Sequence, residues 1–215
     1  HERQRGAAYR RHRGRAVGAE HLGHQPPKYE LLTGNLPPGP PQPTGLDAPR
    51  LLFTSAGAWS SVRQVFERHS SVFLRQGEEL MAAVGDSLAS AHRQSRPRLQ
   101  AVMDHLRSRI RRYEGALTAS TYYARNPQVC VVLRSANRME WALLVAALAG
   151  AARLKVETYL AREGVADFDP GVPNPHQFDR VLLRALVTEE DRFILFDPWN
   201  DRLTEEVGLE SPLLL

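Results

Sequence analysis

From about Leu51 the apolar residues recur at helical spacing. Trp59, Val62, Val65 and Phe66, then Val72 and Phe73, mark one stretch; Gly77 interrupts, and Leu80, Met81, Val84, Leu88 and Ala91 resume it. Pro97 suits the first turn of a further helix. There Leu99, Val102, Met103, Leu106, Ile110, Tyr113 and Leu117 form one apolar stripe, with Arg107, Arg109, Arg111 and Arg112 mostly off it on the wet face. The pattern predicts two or three helices that pack through these stripes.

After Asn126-Pro127 the pattern changes. Val129-Cys130-Val131-Val132-Leu133 is a short β-branched run and predicts a strand over 128–133. Ser135 or Asn137 can cap a buried helix from Arg138 to about Ala151, with Glu140 in its first turn. Residues 154–160 read as a strand with Val156, Thr158 and Leu160 on one face. A turn-rich loop holding Asp169-Pro170-Gly171 and Pro173-Asn174-Pro175 follows. His176 then opens a strand over 177–186, and 193–196 makes another that ends at Asp197-Pro198-Trp199. The order suits an α+β fold, a helical section packed with one buried helix and a mostly antiparallel sheet.

The first fifty residues read differently. Arg3, Arg5, Arg10, Arg11, Arg13 and Arg15 crowd the start, and eight of the fifteen prolines fall between Pro26 and Pro49. Proline lacks a backbone donor and fixes φ, so this stretch is expected to be a disordered or extended arm. The expected organisation is therefore an arm over 1–50, a helical section over 51–125 and an α/β core over 126–215.

Charge divides the chain. Residues 1–50 hold 8 Lys/Arg against 4 Asp/Glu, residues 51–135 hold 12 against 6, and residues 136–215 hold 8 against 14. The basic front and acidic back can attract each other, or the front can meet an anionic partner such as an acidic membrane surface. Aromatic residues are not interleaved with Arg107, Arg109, Arg111 and Arg112, which argues against nucleic acid. No run of eighteen apolar residues occurs to span a membrane. Cys130 is the single cysteine, so an internal disulfide is excluded and a reducing compartment is expected. Nucleotide-binding glycine motifs and metal-ligand histidine spacings are absent, so neither a cofactor nor a metal is implied.

One constellation carries chemistry. His176 stands 21 residues before Asp197, and two adjacent antiparallel strands would bring imidazole and carboxylate to one sheet end. That is the base-and-orienter pair of a nucleophilic triad. Asn137-Arg138-Met139-Glu140-Trp141-Ala142, then Pro175-His176-Gln177-Phe178, then Phe196-Asp197-Pro198-Trp199 make an ordered set. Over about residues 126–202 this set resembles the papain-like and transglutaminase-like thiol hydrolase superfamily, which includes bacterial toxin and effector deamidases, proteases and acyltransferases. The resemblance implies a cysteine opening the buried helix, a histidine heading one strand and an acid ending the next. Here Arg138 stands at the nucleophile position, and Cys130 lies eight residues earlier.

Three functions are compatible with these residues. In the first, an effector or toxin-type domain has lost catalysis and binds a host or cellular protein, with Arg138, Glu140 and Trp199 as binding residues. In the second, an active cysteine hydrolase uses Cys130, His176 and Asp197 on a protein substrate. The third is a basic helical module for an acidic membrane or nucleic acid.

Overall fold

The computed structural model describes residues 9–12, 50–53, 57–114, 123–162 and 171–203. The fold is α+β, and the chain divides into two compact units. One holds residues 1–62 and 165–177; the other holds 63–164 and 178–215. In the first unit, strand β1 (Tyr9–His12) pairs antiparallel with β2 (Arg50–Phe53). The remainder of the arm lies outside the described residues, as does Leu117.

Most of the second unit's core surrounds one helix. α4 (Arg138–Ala151) is buried almost all round, from Met139 through Ala149. Its run of Trp, Leu, Val and Ala leaves no polar face, which marks an interior helix. A four-stranded antiparallel meander packs against it: β5 (Val156–Ala161), β6 (Arg180–Val187), β7 (Arg192–Asp197) and β8 (Arg202–Leu203), in that spatial order. Register places Leu183 opposite Phe196 and Thr158 opposite Leu183. Val181, Leu182, Leu183, Ala185 and Val187 are buried, as are Ile194 and Phe196. α2 (Ser95–Arg107) covers α4 and β6 with Leu99, Val102, Met103 and Leu106. The α2 N-terminus is held by the β6–β7 turn: Ser95 N–H donates to Glu189 Oε1 at 2.8 Å, and Arg96 pairs with Glu190 at 2.7 Å.

Three elements differ from the sequence reading. Gly77 does not interrupt anything: α1 (Trp59–Ala91) is one helix of 33 residues. A Cβ at Gly77 would sit 2.7 Å from Ala147 Cβ, and one at Gly85 would sit 2.4 Å from the carbonyl carbon of Ala151. These glycines let the α1 backbone approach α4, and that packing offsets their helix cost of about 1 kcal/mol each. The run expected as a strand is instead helix α3 (Pro127–Leu133). Asn126 caps it by accepting from Gln128 N–H at 2.8 Å, Pro127 opens it, and Arg134 ends it with φ of 50°. Local capping therefore outweighs β-propensity, which is weak without sheet neighbours. Cys130 accordingly lies in a helix rather than a strand. Finally, α2 stops at Arg107, and β3 (Arg111–Arg112) pairs parallel with β4 (Ser135–Ala136).

The close α1–α4 approach yields a test. Gly85→Val should destabilise the protein by about 2–3 kcal/mol through overpacking against backbone, lowering the thermal midpoint by roughly 4–10 °C. Gly57→Ala, with nothing within 4 Å of its Cβ, should leave it unchanged. An unaltered melt for Gly85→Val would contradict the packing argument.

Candidate functional site

The start of α4 organises the site. Four N–H groups at a helix start lack intrahelical partners, and burial makes leaving them unpaired costly. Asn137 accepts from Glu140 N–H at 2.9 Å, and Glu140 Oε2 accepts from Asn137 N–H at 2.9 Å, a complete capping box. Glu140 is only 1% exposed. Its charge is matched by Arg125, whose Nε and Nη2 donate to the two carboxylate oxygens at 2.6 and 2.7 Å. Arg125 N–H adds a third bond to Oε1. Burial alone would push the Glu140 carboxyl up; the Arg125 guanidinium and the backbone N–H groups outweigh it and hold the pKa below the ordinary 4.5.

Arg138 is the first residue of α4. Its Nη1 donates to the Asp179 carbonyl at 2.8 Å, and its guanidinium lies 5.4 Å from the Trp199 ring centroid. Behind it stands Arg112, 5.3 Å from Trp141 and 5.6 Å from Trp199, donating to the Trp199 carbonyl. The side chains thus alternate as Trp141, Arg112, Trp199 and Arg138, each cation against an aromatic face. Arg112, expected on the wet face, is half-buried in this stack; Arg107, Arg109 and Arg111 are exposed. Trp141 Nε1 donates to the Pro198 carbonyl at 2.7 Å, which ties α4 to the turn after β7.

Asp197 ends β7 as expected and is 3% exposed. Its Oδ1 accepts from Trp199 N–H at 2.9 Å and Asn200 N–H at 3.2 Å, and Oδ2 accepts from Asn200 Nδ2 at 2.7 Å. The carboxylate therefore braces its own turn. The cation beside it is Arg180, at the head of β6, with Nη1 3.6 Å from Oδ2. His176 does not begin a strand. It is exposed, in a 3₁₀ turn over Pro175–Gln177, and its backbone N–H donates to Asn174 Oδ1 at 2.9 Å. It belongs to the first unit, whereas Asp197, Arg180 and Cys130 belong to the second. The turn forms because Asn174 accepts from two successive N–H groups, those of His176 and Gln177.

Cys130 is fully buried. Burial, with the Glu140 charge adding to it and Arg125 opposing, pushes its thiol up to about 11. A nucleophilic cysteine needs the reverse, an accessible thiol with a depressed pKa. Among the described residues no group of three or more His, Cys, Asp or Glu side chains is arranged to hold a metal. Arg125 and Arg180 were not singled out in the sequence; Arg112 was read only as a wet-face charge and Trp141 only as part of the helix-start motif. The partners Glu140 of Arg125, Asp197 of Arg180, Pro198 of Trp141 and Trp199 of Arg112 are 15 to 87 positions away, so local spacing carries no signal for them.

No family model matches the chain, and no curated protein does. A solved structure with the same fold is that of a "putative protease" from Parabacteroides distasonis ATCC 8503, at 12% identity and a TM-score of 0.62. The likeness covers 90% of this chain and spans 40% of that one.

The Glu140 environment gives two expectations. Arg125→Met leaves a buried carboxylate without its cation and should cost about 3 kcal/mol, read by urea denaturation. A depressed folded-state pKa stabilises above the unfolded value of 4.5 and is lost as pH falls through the lower folded value. Acid destabilisation in that window should be smaller in Glu140→Gln than in the wild type; equal acid sensitivity would contradict the assignment.

Proposed function

We propose that the chain is a catalytically degenerate module of the papain-like or transglutaminase-like type, of the effector or toxin kind, that acts by binding a protein. The observation that carries this reading is Arg138 at the helix start reserved for a nucleophile, stacked on Trp199 and bonded to the Asp179 carbonyl. A guanidinium cannot form an acyl intermediate, and at the helix start it would stand where the resemblance puts the nucleophile.

Two further observations support it. The resemblance reserves the head of the strand beside Asp197 for histidine, and β6 is headed by Arg180, whose guanidinium approaches the carboxylate. Cys130, the nucleophile of the active alternative, is enclosed and its pKa raised. The protease-named structural neighbour fits a hydrolase-type ancestry for the fold.

The test is hydrolysis itself. The protein, incubated with casein and with glutamine-containing peptides, should release neither fragments nor ammonia above the level of Cys130→Ser. Iodoacetamide should alkylate native Cys130 at least about tenfold more slowly than the urea-unfolded chain. Amide hydrolysis that disappears on Cys130→Ser or on alkylation would overturn the reading.

A further inference from the structure

The outer face of α3 is apolar where a surface helix is ordinarily polar. Val129, Val132 and Leu133 stand three and four positions apart, so they share one face of the helix. That face looks outward: Val129 is 41% exposed, Val132 70% and Leu133 59%. Among the described residues Val132 and Leu133 are the two most exposed large apolar side chains. A single exposed valine needs no explanation, but three apolar residues on one face beside a charge cluster mark an interaction surface.

The cluster is cationic and lacks counter-charges. Arg134 follows Leu133 directly, and its carbonyl accepts from Arg111 N–H at 2.8 Å, which sets the two arginines next to each other. The parallel β3–β4 pair turns Arg112 inward beside Ala136 and leaves Arg111 exposed. Arg109, two positions before Arg111, is exposed as well, and its Nη1 donates only to neutral groups, Ser108 Oγ at 2.8 Å and the His105 carbonyl at 3.3 Å. Among the described residues no carboxylate, that of neighbouring Glu114 included, pairs with Arg109, Arg111 or Arg134. Asp104 and Asp201 are taken up by Arg107 and Arg112.

Three uncompensated cations beside a protruding apolar face fit an anionic bilayer. There the arginines meet lipid headgroup phosphates and carboxylates, while aliphatic side chains enter the boundary between headgroups and acyl chains. A nucleic acid would leave Val132 and Leu133 facing water. It would also find little to stack on, because Tyr113, the aromatic residue nearest in sequence, is engaged by Arg125 at 5.7 Å. No helix among the described residues is long and apolar enough to cross a membrane, so this face can serve attachment to one surface of the bilayer.

We infer that the end of α3 is a membrane-docking surface: Val132 and Leu133 enter an anionic bilayer, and Arg109, Arg111 and Arg134 bind its headgroups. The surface shares no residue with the start of α4, so it goes beyond the protein-binding reading and does not depend on it.

The experiment is flotation of the whole chain with phosphatidylcholine vesicles carrying about 30% phosphatidylserine, against vesicles of phosphatidylcholine alone. The anionic vesicles should bind about tenfold more tightly, and added salt should weaken that binding steeply. Arg111→Gln and Arg134→Gln should each weaken it roughly fivefold, the share of one arginine at an anionic surface. Val132→Ser combined with Leu133→Ser should weaken it about tenfold, and Leu133→Trp should strengthen it, since indole favours the interface. All these side chains are exposed, so the variants should melt like the wild type. Arg192→Gln controls for net charge: Arg192 shares Glu190 with Arg96, at the opposite end of α2 from Arg109, and its loss should leave vesicle binding unchanged. Absence of vesicle binding at low salt, equal binding to both vesicle types, or indifference to Val132 and Leu133 would overturn the inference. So would an equal loss from Arg192→Gln, or binding to duplex DNA with none to vesicles. The hydrolysis test is untouched by any of these results, so the docking surface and the non-catalytic reading stand or fall separately.

Discussion

The buried N-terminus of α4 is the constraint on which the rest depends. An apolar helix placed at the centre of a fold must still satisfy its first N–H groups. Asn137 and Glu140 do so, but only by introducing a carboxylate that is 1% exposed. That charge in turn requires Arg125, and Arg125 draws in the segment before α3, bonding the Ser135 carbonyl at 3.1 Å as well. One capping requirement thus ties the segments on either side of α3 to the start of α4, and the Glu140 charge adds to the burial that raises the pKa of Cys130.

From that start the chemistry of the site follows. Trp141, one turn into α4, holds the Pro198 carbonyl, so the turn after β7 is pinned to the helix. Asp197 is then committed to that turn through three hydrogen bonds. Two tryptophans and two arginines fill the space between helix start and turn. Cation–π contacts of this kind contribute on the order of 0.5–2 kcal/mol each, and they add to what holds the turn after β7 against the start of α4.

The sequence was legible where structure is set locally. The α4 boundaries, its cap and its first-turn acid follow from Asn137 to Glu140, and β7 ending at Asp197 follows from a buried run before Asp-Pro. The α+β class follows from their order. The reading failed where distant partners decide. Val129 to Leu133 has strand residues, yet Asn126 and Pro127 begin a helix, and no strand among the described residues pairs with the segment. Gly77 breaks a helix by propensity alone, and Ala147 across the interface explains why it does not. Arg180 carries no signal of its own, because nothing near it in the sequence announces Asp197.

The proposed reading puts Arg138 and Arg180 where a thiol hydrolase would hold its nucleophile and its base. The most direct test is the thiol pKa of an introduced cysteine, followed by thiolate absorbance in a Cys130→Ser background. The account predicts that Arg138→Cys combined with Arg180→His gives a thiol titrating well below the free-cysteine value of about 8.5. It also predicts a clear upward shift when the histidine is omitted and Arg180→Gln takes its place. Identical titrations with histidine and with glutamine would contradict it.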